Sequence, residues 1–172
     1  LTTPHVHSTG RTVSLAFSGA VALFGHFGIE WDLTTLDARD RALVGEWVAL
    51  ARRVRPLVAT GRVVNADVTD PGLDVRGVVG ADRDHAFFTI AQTQTLISSP
   101  AGRVRFPGLD PDRAYRVRLV TPGGLVQEPA QSPLAWAHHD TVLTGRQLAV
   151  TGIRPPVQNP QRAVVVELTT AR

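Results

Sequence analysis

The chain has 172 residues, of which 43% are apolar, and a formal net charge of +3. This length and hydrophobic content allow one or two compact units with a substantial core and exclude a disordered chain. The apolar stretches are interrupted well short of the roughly 18 residues that span a bilayer, which excludes a membrane-inserted protein.

All 18 basic residues are arginine, and cysteine is absent. Without cysteine the chain has no disulfide framework, thiolate nucleophile or thiolate metal site. Positive charge is dense only at Arg52, Arg53 and Arg55, whereas a nucleic-acid surface needs basic residues gathered on one face with stacking aromatics nearby. We therefore expect no nucleic-acid partner.

A helix is the first element that the sequence predicts, over about residues 13–26. Apolar residues recur there at three- and four-residue spacing, as on one buried helical face, and Thr12 or Ser14 can serve as the N-cap. The predicted buried face comprises Val13, Phe17, Ala20, Val21 and Phe24.

A short strand is predicted next, over residues 29–33. Because successive side chains of a strand point to opposite faces, Glu30 and Asp32 share one face and the three apolar residues share the other. The sequence thus predicts two acidic side chains that point the same way.

A second, longer helix follows this strand. Thr34 and Asp37 have the spacing of a capping box, and Pro56 is expected to bend or end the helix. Helix, strand and helix within residues 1–61 are typical of the end of an α/β pattern, in which a parallel strand needs neighbours for its backbone hydrogen bonds. The apolar stripe of the second helix comprises Leu36, Leu43, Trp47, Leu50, Val54 and Leu57.

The apolar period changes from helical to two at Arg62, which predicts an antiparallel β-sandwich domain over residues 62–172. Clusters of Asp, Pro and Gly mark the turns between the strands. The domain boundary is expected within a few residues of Gly61. The predicted strands cover residues 62–68, 73–81, 86–95, 102–106, 114–120 and 163–168.

Several motifs occur along the chain in a characteristic order and spacing. They are His7–Arg11, Ala20–Leu33, Glu46–Leu50, Thr60–Val64, Pro107–Val117 and Gly152–Val157. Together they resemble the C-terminal part of bacterial α-galactosidases of glycoside hydrolase family 36. The run from Phe24 to Leu33 is the most specific of them.

The resemblance implies a retaining glycosidase built from an N-terminal β-supersandwich, a central (β/α)8 barrel and a C-terminal antiparallel β domain. This chain would begin within the barrel: residues 1–61 would be its last helix-strand-helix segment, and residues 62–172 the C-terminal domain. A retaining reaction uses two carboxyl groups about 5–5.5 Å apart. In the family these belong to aspartates on the fourth and sixth barrel strands, positions that this sequence lacks. We therefore assign no catalytic residue and expect the isolated chain to be inactive.

Glu30 and Asp32 are candidate site residues on the predicted last barrel strand. Side chains two residues apart on a strand lie roughly 6–7 Å apart, close to the separation of a retaining pair. Three roles remain open for them: catalysis, an indirect role near the sugar pocket, or a structural role that holds the strand in register.

His7 and Arg11 are the other candidate substrate-binding residues. By the resemblance they belong to the loop after the seventh barrel strand, on the face where barrel enzymes carry their sites. Either can bind sugar hydroxyls, anchor the loop or contact another subunit. A metal role for His5 with His7, or for His138 with His139, is only weakly indicated, because no group of carboxylates accompanies them.

The resemblance implies hydrolysis of terminal α-linked galactose from oligosaccharides by the full-length enzyme, without cofactor or metal. The chain would then require the N-terminal and barrel segments as partners; a homo-oligomer is left open, and a cytoplasmic location is favoured. The alternative is a non-catalytic, β-rich accessory or carbohydrate-binding module. Such a module displays exposed aromatic side chains, and we expect most of the five aromatics after Gly61 to be buried.

Overall fold

The computed structural model describes residues 5–6, for which only the backbone is considered, 10–124 and 134–171. The helices are α1 (Leu15–Ala22), α2 (Ala38–Thr60), α3 (Ala135–His138) and α4 (Gly145–Val150), with a 3-10 turn at Leu33–Thr35. The strands are β1 (His5–Val6), β2 (Arg11–Thr12), β3 (Arg62–Asn65), β4 (Leu73–Val79), β5 (His85–Gln92), β6 (Ala114–Leu119), β7 (Thr141–Thr144) and β8 (Arg162–Thr170).

A six-stranded antiparallel sheet organises the structure, in the order β3-β4-β5-β8-β6-β7. The last strand, β8, lies between β5 and β6, so the end of the chain occupies the middle of the sheet. Strands β1 and β2 pair separately. The prediction of an antiparallel β domain is confirmed.

The second sheet that a sandwich requires is not found in residues 62–124 and 134–171. Loops and the short helices α3 and α4 cover one face of the six-stranded sheet instead, because their apolar side chains complete that core. The residues that do so include Val104, Phe106, Leu109, Trp136, Leu148 and Ile153.

Helices α1 and α2 cover the other face of the sheet. Because successive side chains of a strand point to opposite faces, every second side chain of β4, β5 and β8 faces these two helices. Trp47 and Val54 of α2 are fully buried in this second core. The sheet contributes Val78, Phe87, Ala91, Ala163 and Val165 to it.

Both long helices form, with bounds that differ from the predicted ones. Helix α1 covers Leu15–Ala22 rather than residues 13–26, and Ser14 is its N-cap, accepting the Phe17 N–H at 3.2 Å. Helix α2 begins after Asp37, which accepts the Asp40 N–H at 2.7 Å, so Asp37 caps the helix alone. Pro56 lies inside α2 without ending it. Its missing N–H costs the helix one backbone hydrogen bond in its last turns.

The predicted strand over residues 29–33 is wrong. Only Glu30 has bridge geometry, and Leu33–Thr35 is a 3-10 turn. The alternating pattern is present, but a parallel strand forms only beside neighbours that accept its backbone hydrogen bonds. In the described part of the chain no parallel pair of strands exists to supply them.

Candidate functional site

Asp32, one of the predicted site residues, is the N-cap of the 3-10 turn. Its Oδ1 accepts the Thr34 N–H at 2.9 Å and the Thr34 hydroxyl at 2.6 Å. These hydrogen bonds, first that from the hydroxyl and then that from the amide, hold the pKa of the Asp32 carboxyl below its ordinary value. A carboxyl group that donates a proton to a leaving group needs the opposite shift, so the structure gives Asp32 a turn-forming role.

Glu30 and Arg11 are both exposed residues in the amino-terminal part of the chain. Glu30 is exposed, three residues before the first residue of the 3-10 turn, and Arg11 is exposed in β2 opposite Val6. His7 falls outside the described residues. The sugar-binding roles of His7, Arg11, Glu30 and Asp32 stay predictions.

A charge cluster around one buried carboxylate, which the sequence analysis missed, lies between α2 and the sheet. Glu167 of β8 is 7% exposed. Its Oε2 accepts from Nη1 of Arg53 at 3.2 Å, and its Oε1 lies 2.8 Å from Nε2 of His85. One signal could have revealed it: Glu167 is the lone acidic residue in the apolar run from Ala163 to Leu168.

A cleft of about 260 Å³ opens on the far side of the sheet from α2. Asp70, its buried acidic residue, accepts the Gly72 N–H at 2.9 Å through Oδ1 and the Ile97 N–H at 2.7 Å through Oδ2. Through these two hydrogen bonds the Asp70 carboxylate joins the turn at Gly72 to the loop at Ile97. The cleft is lined by Val68, Thr69, Asp70, Leu73, Ile97, Ser98, Gly102, Arg103 and Val104.

The aromatic side chains after Gly61 are buried in the core. Such side chains cannot form the exposed flat array with which a carbohydrate-binding module stacks on sugars. Their burial therefore disfavours the alternative of a free-standing sugar-binding module. These residues are Phe87, Phe88, Phe106, Tyr115 and Trp136.

Neither a metal site nor a membrane-spanning helix is found in the part of the chain that the structure describes. Across residues 10–124 and 134–171, no group of three or more His, Cys, Asp and Glu side chains is arranged to hold a metal ion. Within the same part of the chain, no helix combines the length and the apolar character needed to cross a membrane.

Comparison with known families assigns both parts of the chain. Residues 2–61 match the Melibiase family model, and residues 74–168 match the model of the glycosyl hydrolase family 36 C-terminal domain. The chain belongs to glycosyl hydrolase family 36. The resemblance inferred from the sequence motifs is thereby confirmed, and the family's name places the chain among glycosidases.

The sequence relatives of this family 36 chain are α-galactosidases. It is 34% identical over 173 residues to an α-galactosidase of Escherichia coli, an alignment that covers 96% of this chain and 24% of the relative. The chain thus spans about a quarter of the length of that enzyme.

Solved structures of family 36 share the fold. α-Galactosidase AgaB of Geobacillus stearothermophilus superposes with a TM-score of 0.79 at 24% identity, over 99% of this chain and 21% of the enzyme. Variants of α-galactosidase AgaA from the same organism, solved with raffinose and with stachyose, superpose with TM-scores of 0.78 and 0.79 at 24% and 23% identity. Each match covers 99% of this chain and 21% of the AgaA chain.

Proposed function

We propose that this chain is the C-terminal portion of a retaining α-galactosidase whose catalytic aspartates lie outside it. The observation that carries the proposal is the order of the two family matches: a Melibiase segment at residues 2–61, followed by the family 36 C-terminal domain at residues 74–168. The similarity to an α-galactosidase over 96% of the chain supports it.

The chemistry of a retaining glycosidase supports placing the catalytic pair elsewhere. That reaction needs a carboxylate nucleophile and a second carboxyl group that donates a proton, about 5–5.5 Å apart. Asp32 is bound to Thr34, Asp70 to backbone amides, and Glu167 to Arg53 and His85. Each of these carboxylates already has a structural partner.

Residues 1–61 would close the barrel, and residues 62–172 would form the C-terminal domain. Exposed apolar side chains near the expected last strand support this division: Val21 is 57% exposed and Leu33 is 42% exposed. Packing against preceding barrel segments would remove this apolar surface from water.

The proposed substrates are oligosaccharides with a terminal α-linked galactose, as the raffinose and stachyose complexes of AgaA suggest. Arg11, Glu30 and Asp32, with His7, are proposed to line the sugar pocket of the complete enzyme. The cytoplasmic location and the homo-oligomer that the resemblance allows stay predictions.

The isolated chain is expected to show no turnover of p-nitrophenyl α-galactoside above background, because it lacks the catalytic pair. The assay uses purified chain whose native fold is verified by circular dichroism, with the E. coli α-galactosidase as positive control. Activity that co-purifies with the chain would overturn the proposal. Calorimetric titration with raffinose tests the module hypothesis, since a sugar-binding module binds without turnover.

A further inference from the structure

Glu167 is a buried acid on the sheet face that α1 and α2 cover. It alternates along β8 with the apolar core residues of the opposite face and shares its own face with Ala163 and Val165. An ionised carboxylate in such a position is tolerated only when charged or hydrogen-bonding partners compensate for its lost hydration.

Three elements supply those partners. Arg53 reaches Glu167 from α2, His85 from β5, and Arg118 lies opposite Glu167 in the register of β6. Helix α1, which also packs on β8, carries no charged residue. The surroundings of the carboxylate are therefore cationic, and more so when the His85 ring is protonated.

The aromatic ring of Phe87 fixes the position of both main partners. The guanidinium carbon of Arg53 lies 5.4 Å from the centroid of the Phe87 ring, and the His85 ring centroid lies 4.8 Å from the same point. A cation over an aromatic face is favourable and orients the arginine. Arg53, His85 and Glu167 thus form one ordered cluster, here called the α2 clamp.

We propose that the α2 clamp holds α2 on the sheet while the Glu167 carboxylate is ionised and loosens α2 when that carboxylate is protonated. A proton on Glu167 removes the charge attraction to Arg53, whose half-exposed side chain is then free to turn towards water. Helix α2 stays in contact through its apolar residues, so the change is a local loosening rather than release.

The direction of the pH effect follows from the surroundings of Glu167. Burial raises the pKa of its carboxyl, but the hydrogen bond with His85 and the charges of Arg53, His85 and Arg118 lower it by more, so the net shift is downward. A lowered pKa in the folded state means stability that is fully present above the ordinary pKa of Glu, about 4.3, and is lost as the pH falls below it.

The clamp joins the two regions that match different family models. Arg53 belongs to the Melibiase segment, whereas His85 and Glu167 belong to the C-terminal domain. Protonation at one buried residue would therefore act on the contact between the two regions. This inference depends on the contacts of the chain itself and not on its proposed glycosidase activity.

Native-state hydrogen exchange on the whole chain and on Glu167→Gln tests the clamp from pH 7 down to about pH 3.5, and circular dichroism at each pH checks that both proteins keep the native fold. We expect the variant to lose protection in α2 on the order of tenfold at pH 7, and the difference from the wild type to become smaller as the pH falls towards the lowered pKa of Glu167. Strand β7 should change little. Asp74→Asn, which breaks the exposed Arg76–Asp74 pair at 2.8 Å, is the matched control and should leave α2 unchanged.

A difference between wild type and Glu167→Gln that is the same at every pH would overturn the proposal, as would an equal loss of protection in β7. Arg53→Met provides a second test if Glu167→Gln does not fold, because it keeps the side-chain stem on Phe87 and removes the charge. It should loosen α2 at pH 7 and weaken the pH dependence of α2 protection, of which the part that comes from the Asp37 cap remains; a pH dependence as large as that of the wild type would contradict the clamp.

Discussion

Replacing Gly19 by alanine is expected to destabilise the chain by about 3 kcal/mol, because the added methyl group overlaps a side chain that cannot move. A Cβ at position 19 would lie 2.4 Å from Cδ2 of Trp47 and 2.6 Å from its Cε2. Trp47 is fully buried between α1, α2 and the sheet. Urea unfolding, followed by circular dichroism, measures the change.

Two controls separate the overlap from the effect of alanine itself. Gly45 lies in α2 with open space at its Cβ position, so Gly45→Ala should stabilise the chain by about 0.5–1 kcal/mol through helix propensity. In a Trp47→Leu background the overlap is relieved, and Gly19→Ala should become neutral or stabilising. Equal destabilisation in both backgrounds would contradict the close packing of α1 against α2.

Replacing Gly152 by alanine should destabilise the chain by about 2–5 kcal/mol, for two reasons that add. Gly152 has φ +66°, and a Cβ there would lie 2.0 Å from the backbone oxygen of Val104. That oxygen accepts the Ile153 N–H at 3.0 Å, so the backbone cannot retreat without losing the bridge. Left-handed strain contributes about 1–2 kcal/mol and overpacking about 1–3 kcal/mol.

Gly124→Ala is the matched control for Gly152→Ala. Gly124 also has a positive φ, +71°, but nothing lies within 4 Å of its Cβ position. It should therefore show only the left-handed strain of about 1–2 kcal/mol. Equal unfolding free energies for the two variants would show that the 102–106 segment does not pack against residue 152 as described.

The central strands could be predicted from the sequence because their pattern is local. Strands β4, β5 and β8 begin and end within a few residues of the predicted bounds, since both of their faces are buried and turn residues flank them. The segment 102–106 has the same alternation but forms only the Val104–Ile153 bridge. Whether an apolar run becomes a strand depends on a distant partner, which its own sequence does not specify.

Other elements were missed because their stabilising contacts are nonlocal. Strand β7 has only four residues and forms through pairing with β6. Helix α4 carries a capping box of Thr144 and Gln147, a local signal that could have revealed it. Helix α3, four residues long, has no side-chain cap and is anchored by Trp136, whose indole N–H donates to the Arg154 carbonyl at 2.9 Å.

The candidate site was less predictable than the fold. The spacing of Glu30 and Asp32 suggested a shared strand face, but the hydroxyl and amide of Thr34 turn Asp32 into a cap. The spacing of the two acidic residues fits a strand as well as a cap. An aspartate in either setting can hydrogen-bond to the backbone or side chains a few residues away, so the sequence alone does not decide between them. The partners of Glu167 lie 114 and 82 residues away, beyond the reach of any local pattern.

The proposed role as the C-terminal portion of an α-galactosidase is tested most directly by a chimera in which this chain replaces the corresponding part of the E. coli α-galactosidase, 24% of that enzyme. We predict turnover of p-nitrophenyl α-galactoside by the chimera, and none by the isolated chain or by the truncated E. coli enzyme. A folded chimera no more active than the truncated enzyme, or an isolated chain that turns over the substrate, would contradict it.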